Sequence, residues 1–347
     1  MENLALKYRP AEMEEVIGQE YNKIILSSQL ENDEIQQAYL FTGASGTGKT
    51  TIARIFAEEV NEGNGKPIEI DAASNNGVDA IRNISEEASY NPIGSRYKVF
   101  IIDEAHMITT QGFNAFLKTL EEPPENVIFI LCTTDPQRLP ETVLSRLQRF
   151  DFERLKVDEI TDRLIGIIDC ENSQYEEDYY SVESDETINY IAKLSNGSMR
   201  KAIGLLEKCM NYSDELSQQN VEEALGLPGT LEFISITDSI VDMHPVTCLV
   251  KIQNIHDSGR DLRLAMRHYS DFILDLCKLS ISMEYEDTQL PSAYEEEIEQ
   301  LMGKVGDEFL LWLLEELNSM NNLVKWETNS KALIETTMLL LTRQKED

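Results

Sequence analysis

Positive charge is what this chain has least of: 30 lysines and arginines stand against 63 aspartates and glutamates, a formal net charge of −33. So few cations make a poor nonspecific nucleic-acid surface, because neutralising phosphates takes lysine and arginine. That constrains the bulk surface and leaves room for one locally basic face. Much of the excess is local. Residues 171–190 and 284–300 are rich in acids and hold no base, the composition of solvated loops or helix faces. Cysteine is scarce too: Cys132, Cys170, Cys209, Cys248 and Cys277 include no C-x-x-C pair, so neither a structural zinc nor a disulfide framework is indicated. No run approaches the ~20 apolar residues of a membrane span, and no signal pattern opens the chain. A cytoplasmic location with no membrane partner is expected.

What is present is organised around residues 40–51. Gly43-Ala44-Ser45-Gly46-Thr47-Gly48-Lys49-Thr50 matches G-x-x-x-x-G-K-S/T at each fixed position. Glycines let such a loop turn its N–H groups inward as a nest for phosphate oxygens. Lys49 is placed to reach the terminal phosphates of ATP, and the Thr50 hydroxyl to ligate Mg2+. The buried-strand pattern Ala38-Tyr39-Leu40-Phe41 precedes the loop, and an apolar-faced helix pattern from Thr51 follows it. The loop therefore sits at a helix N-terminus, where the dipole favours anions, and Thr51 is counted with it.

A second motif supports the first. Lys98-Val99-Phe100-Ile101-Ile102 is an apolar, β-branched run that ends in Asp103-Glu104. Carboxylates there stand at the C-terminal edge of the sheet, where open α/β sheets bind ligands. Asp103 is the candidate Mg2+ holder, and Glu104 the candidate base for the attacking water. Between and beyond these motifs strands alternate with helices: a strand at 67–71, helices at 78–88 and 111–120, a strand at 127–132. The pattern predicts α/β architecture with a doubly wound parallel sheet. Thr134, just past the fourth strand, is placed to hydrogen-bond the γ-phosphate or its water, unless it merely caps a turn. Arg146 lies at the far rim of the domain, which suggests that it serves a neighbour's loop.

The arm Leu6-Lys7-Tyr8-Arg9-Pro10 and the stretch Val16-Ile17-Gly18 precede the first strand. Such a segment lies over the adenine in many ATPases, so Tyr8, Arg9, Val16 and Ile17 are candidates; a surface-packed arm is the other reading. From about residue 157 the pattern becomes helical. Asn196-Gly197 marks a turn feeding a helix start, and Arg200 on its first turn is a candidate to close over phosphates, against a plain surface arginine. Leu227-Pro228-Gly229 reads as a linker. Beyond it, residues 306–320 and 330–343 carry broad apolar faces at helical spacing and no catalytic constellation.

With these residues in place, the chain resembles the gamma/tau subunit family of the bacterial DNA polymerase III clamp loader, an AAA+ ATPase family. The resemblance is carried by the phosphate loop, Glu69-Ile70-Asp71-Ala72-Ala73-Ser74, Ile102-Asp103-Glu104-Ala105-His106-Met107 and Leu117-Lys118-Thr119-Leu120-Glu121-Glu122-Pro123-Pro124-Glu125. Thr133-Thr134-Asp135-Pro136-Gln137, Leu144-Ser145-Arg146 and Gly197-Ser198-Met199-Arg200 complete it. It implies an AAA+ P-loop domain at residues 1–156, a helical lid at 157–227 and a helical oligomerisation collar at 228–347. It implies Thr134 as sensor 1, Arg146 as a trans-acting arginine and Arg200 as sensor 2. The implied partners are other subunits in a five-membered assembly, a sliding clamp and primer-template DNA.

Departures are visible. Asn61-Glu62-Gly63-Asn64-Gly65-Lys66 stands where the family carries a four-cysteine zinc module, so no zinc is expected. Leu147 replaces the cysteine after the arginine, and the sequence given stops near the collar's end, without the family's tau tail. The charge favours a rival, an AAA+ scaffold or remodeller acting on a protein partner without DNA. If DNA is bound, Ser74-Asn75-Asn76 and Thr109-Thr110-Gln111, expected to open helices, are neutral groups able to meet phosphates.

Overall fold

The computed structural model describes residues 3–174, 179–281, 283 and 285–343. Positions 175–178 and 284 of the two acid-rich stretches lie outside them. The chain forms two compact units, Met1–Arg163 with Ser195–Gly204, and Leu164–Leu194 with Leu205–Asp347.

In the first unit α1 (Leu4–Lys7) and α2 (Glu20–Glu31) precede β1 (Ala38–Gly43) and α3 (Lys49–Glu59). There follow β2 (Ile68–Asp71), α4 (Val78–Ala88), β3 (Lys98–Asp103), α5 (Thr110–Glu121), β4 (Val127–Thr133), α6 (Glu141–Leu144) and β5 (Gln148–Phe152). The strands form one parallel sheet of order β2-β3-β4-β1-β5. Period-two alternation sends successive side chains to opposite faces. Tyr39, Phe41, Ile101, Ile130 and Phe150 go to one face, against Ile52 and Phe56 of α3 and Leu26 of α2. Leu40, Phe100, Ile102, Phe129 and Leu131 go to the other, against Ile81 of α4 and Phe113 and Phe116 of α5. Burial on both faces explains why these strands read as continuous apolar runs. β4 lies between the strands carrying the two motifs, with Thr133 beside Thr42.

The loop stretches proposed for DNA differ in detail from the expectation. Asp71 caps a turn through Ala73 N and Ser74 Oγ at 2.9 and 3.1 Å, and α4 begins only at Val78. Thr109 is the N-cap of α5, its Oγ1 accepting from Gly112 N at 3.1 Å, and its own N–H donates to Asn76 O. Asn61–Lys66 is a turn pinned by Asn61, whose amide bonds both N and O of Tyr97 at 2.7 and 3.0 Å.

Beyond β5 come α7 (Val157–Asn172), β6 (Ser181–Val182), α8 (Asp185–Ser195), α9 (Met199–Tyr212), β7 (Glu215–Leu216) and α10 (Gln218–Leu225); of these, the residues up to Arg163 and Ser195–Gly204 belong to the first unit and the rest to the second. Strands β6 and β7 form a short parallel pair in a region that reads as helical. Two residues per strand are too few for alternation to be seen in sequence. The remainder is helical: α11 (Thr230–Val241), α12 (Pro245–Asp257), α13 (Leu262–Ser280), α14 (Glu295–Met302), α15 (Asp307–Val324) and α16 (Ser330–Leu341). Met266, Tyr269 and Ile273 of α13 pack with Leu310, Leu313 and Leu317 of α15 and Ile334 and Met338 of α16 in one core. The α15 and α16 side chains lie on the apolar faces the spacing marks.

One buried carboxylate ties α10 to α11. Glu222 Oε1 accepts from Thr230 Oγ1 at 2.9 Å, Thr230 N at 3.3 Å and Gln218 Nε2 at 3.3 Å. Burial raises its carboxyl pKa, and the bonds from Thr230 and Gln218 offset part of that rise. Removing the acceptor in Glu222→Ala strands two Thr230 donors, at about 1–3 kcal/mol each. Glu222→Gln keeps an acceptor oxygen and no charge. Because the folded pKa is raised, Glu222's contribution is intact below the ordinary value of 4.5 and is lost as pH rises through the raised one. Melting temperatures across pH should therefore match for wild type and Glu222→Gln in acid and diverge in favour of Glu222→Gln towards neutrality.

Candidate active site

The phosphate loop bends as its glycines allow. Gly43, Gly46 and Gly48 have φ of +147°, +77° and +102°. A Cβ on Gly43 would meet Phe152 O at 2.2 Å, and one on Gly46 would meet Ser198 Oγ at 2.1 Å. Gly48 is the N-cap of α3 and offers no side-chain cap, so the first N–H groups of that helix face the loop. Thr47 Oγ1 donates to Ala44 O at 2.9 Å across the turn. Lys49, 6% exposed, donates to Gly43 O and Ala44 O, both at 2.8 Å. Burial lowers its ammonium pKa. Two loop carbonyls hold this cation where incoming phosphate oxygens would replace them.

Beside the loop, Thr50 Oγ1 donates to Asp103 Oδ2 at 2.9 Å. A hydroxyl and one carboxylate are the hard-oxygen donors that Mg2+ takes together with substrate phosphates, so this pair fits the ion. Glu104 follows in the left-handed region, φ +48°, its N–H donating to Asp103 Oδ1 at 2.9 Å. Such backbone is uncommon outside glycine and clusters at functional sites. Glu104 Oε2 accepts from Thr134 Oγ1 at 3.4 Å, and His106 Nδ1 lies 3.4 Å from the same oxygen. The base candidate, the Mg2+ candidates and Thr134 thus form one cluster.

A cleft of about 530 Å³ opens over the loop, within the range of small-ligand sites. Tyr8, Arg9, Val16 and Ile17 line it together with Ser45, Gly46, Thr47, Gly48, Lys49, Thr50, Thr51, Asp103, Glu104 and Arg200. Arg200 arrives because Met199 N donates to Gly46 O at 3.1 Å, which brings the start of α9 onto the loop. Arg146 stands elsewhere. It bonds Glu121 Oε1 at 2.7 Å and the carbonyl of Thr142, and does not line the cleft.

Two positioning residues carry no motif. Arg163 lines the cleft and donates from Nη2 to Tyr8 O at 3.2 Å, fastening the arm. Gln19 Nε2 donates to Thr47 O at 3.3 Å and Glu153 O at 2.7 Å, joining the loop to the end of β5.

Residues 64–156 match the family model described as DNA polymerase III, delta subunit, and residues 216–341 the one for DNA polymerase III subunits gamma and tau domain III. The DNA polymerase III subunit gamma of Buchnera aphidicola from Schizaphis graminum is 34% identical over 77% of this chain and 78% of its own length. The chain belongs to the DNA polymerase III gamma/tau family. Bacillus subtilis DNA polymerase III subunit tau is 34% identical over 96% of this chain, which spans 62% of that protein. Escherichia coli DNA polymerase III subunit tau is 36% identical over 69% of this chain, which spans 39% of that one. Among solved structures, the Thermotoga maritima RuvB Holliday junction branch migration motor superposes with a TM-score of 0.51 at 21% identity. That match covers 83% of this chain and 97% of RuvB. At that identity the likeness speaks to fold alone.

Proposed function

We propose that this chain is an ATP-hydrolysing motor subunit of a replication clamp loader, which opens a ring-shaped sliding clamp and places it on primer-template DNA. The observation that carries the proposal is the cluster of Thr50, Asp103, Glu104 and Thr134 beside the phosphate loop, in a chain of this family. Lys49 and the loop N–H groups bind the phosphates, and Tyr8, Arg9, Val16 and Ile17 border the base. Mg2+ held by Thr50 and Asp103 would draw charge from the phosphate oxygens. Glu104 takes the proton of the attacking water, Thr134 orients that water or the γ-phosphate, and Arg200 covers the phosphates from α9. Arg146 acts on the nucleotide of the adjoining subunit.

The domains proposed are the sheet domain at 1–156, a lid at 157–227 and a collar at 228–347. Exposed apolar side chains on the last, among them Trp326 at 89% and Leu323 at 61%, suit contacts with neighbouring subunits in a five-membered assembly in the cytoplasm. The net charge of −33 favours a second reading, an AAA+ remodeller of a protein partner that never meets DNA. ATPase rates of the assembly with and without primed template and a sliding clamp separate the two. Stimulation by the DNA–clamp pair is expected; a rate indifferent to every such pair leaves the remodeller.

A further inference from the structure

His106 stands just past the end of β3, within reach of the last residue of the neighbouring strand β4. Its ring is 13% exposed, on the short turn after β3, and its Nδ1 lies 3.0 Å from Thr133 Oγ1 and 3.4 Å from Glu104 Oε2. Thr133 is fully buried at the end of β4, and its Oγ1 also accepts the N–H of Asp135 at 3.1 Å. The ring is therefore braced by a hydroxyl that the sheet itself holds in place. The Glu104 carboxylate has no such packing: the side chain is 41% exposed, and its Oε2 is approached by Thr134 and His106.

We propose that His106 is a positioning residue for Glu104, its Nδ1–H holding Oε2 so that Oε1 is left to face the attacking water. The inference rests on Glu104 being the base, as proposed above. With Nδ1 protonated, the tautomer that a carboxylate neighbour favours, one N–H is shared between Oε2 and the Thr133 hydroxyl. Contacts of this kind are often long before substrate arrives and tighten in the reacting complex. An exposed carboxylate held at one oxygen loses rotational freedom, and holding a catalytic group in its reacting geometry lowers the barrier. The arrangement also links β4, which leads into Thr134, to the base just after β3. Movement of sensor 1 then carries the base with it through His106 and Thr133.

Steady-state ATP hydrolysis by the full chain, under assembly conditions, tests this beside binding of a fluorescent ATP analogue and thermal melting. His106→Ala and the ring-sized His106→Phe should lower kcat about tenfold, while analogue affinity and melting stay near wild type. His106→Asn, whose Nδ2 falls where Nδ1 stands, should recover most of the rate. In a Glu104→Gln background His106→Phe should cost nothing further, since both changes remove one function. An unchanged kcat in His106→Phe overturns the proposal. So does an undiminished further loss in the double variant, or a His106→Asn chain that melts normally yet is as slow as His106→Phe. If Glu104→Gln itself hydrolyses at the wild-type rate, the assignment of the base has failed, and the positioning role fails with it.

Discussion

Mixing a Lys49→Ala chain with an Arg146→Ala chain should restore ATP hydrolysis that neither supports alone. In its own chain Arg146 is a third exposed, bonds Glu121, and does not line the cleft over Lys49. As a surface ion pair it would contribute at most about 1 kcal/mol to folding and nothing to catalysis. As a trans-acting cation it would neutralise charge building on the γ-phosphoryl oxygens, worth roughly 10³–10⁵ in rate. In a mixed assembly some interfaces bring an intact loop against an intact arginine, and those turn over. Arg146→Ala alone should keep nucleotide affinity and melting temperature while losing most of its rate. Mixed oligomers that form and stay silent would exclude the trans role. Hydrolysis that needed the neighbour's arginine would make turnover conditional on correct assembly, as the proposed loader requires if it is not to release its ring early.

Lys49→Ala and Glu104→Gln should fail at different steps. Lys49 is the cation held at the loop by Gly43 O and Ala44 O, and phosphate oxygens would take their place. Charge-assisted bonds contribute about 1.5–3 kcal/mol each, so its loss should weaken ATP binding by roughly 10–100-fold or more. Glu104→Gln keeps the shape and the backbone bond to Asp103, so ATP should bind normally. Its hydrolysis should fall by about 10²–10⁴, the usual worth of a positioned base. Equilibrium binding and single-turnover hydrolysis, measured side by side, separate the two. Normal hydrolysis by Glu104→Gln would remove Glu104 from the mechanism.

Most of the candidate site was legible in the sequence because it lies in contiguous stretches whose chemistry dictates order and spacing. The loop from Gly43 to Thr50 and the Asp103-Glu104 pair each follow a largely apolar run, and strand ends are where a parallel sheet collects ligand groups. Helix α4 runs from Val78 to Ala88 as its spacing indicates, with Ile81, Ile84 and Ala88 buried. Gln19 and Arg163 were not legible. Each reaches a backbone carbonyl far away in sequence, Thr47 O or Tyr8 O, and a single polar side chain gives no sign of such a target. His106 was visible as part of a motif, but its partner Thr133 belongs to another strand, and only the sheet register brings the two together. The β6–β7 pair escaped because two-residue strands have no period.

The most direct test follows a labelled sliding clamp onto circular primed DNA in the presence of the assembled subunits, after a wash that strips loosely held protein. With ATP the clamp should remain on the circle. With the Glu104→Gln chain and ATP, the clamp should stay trapped with the loader and not be left behind alone. A clamp retained equally without nucleotide, or never retained while ATP is hydrolysed, would contradict a loader driven by this site.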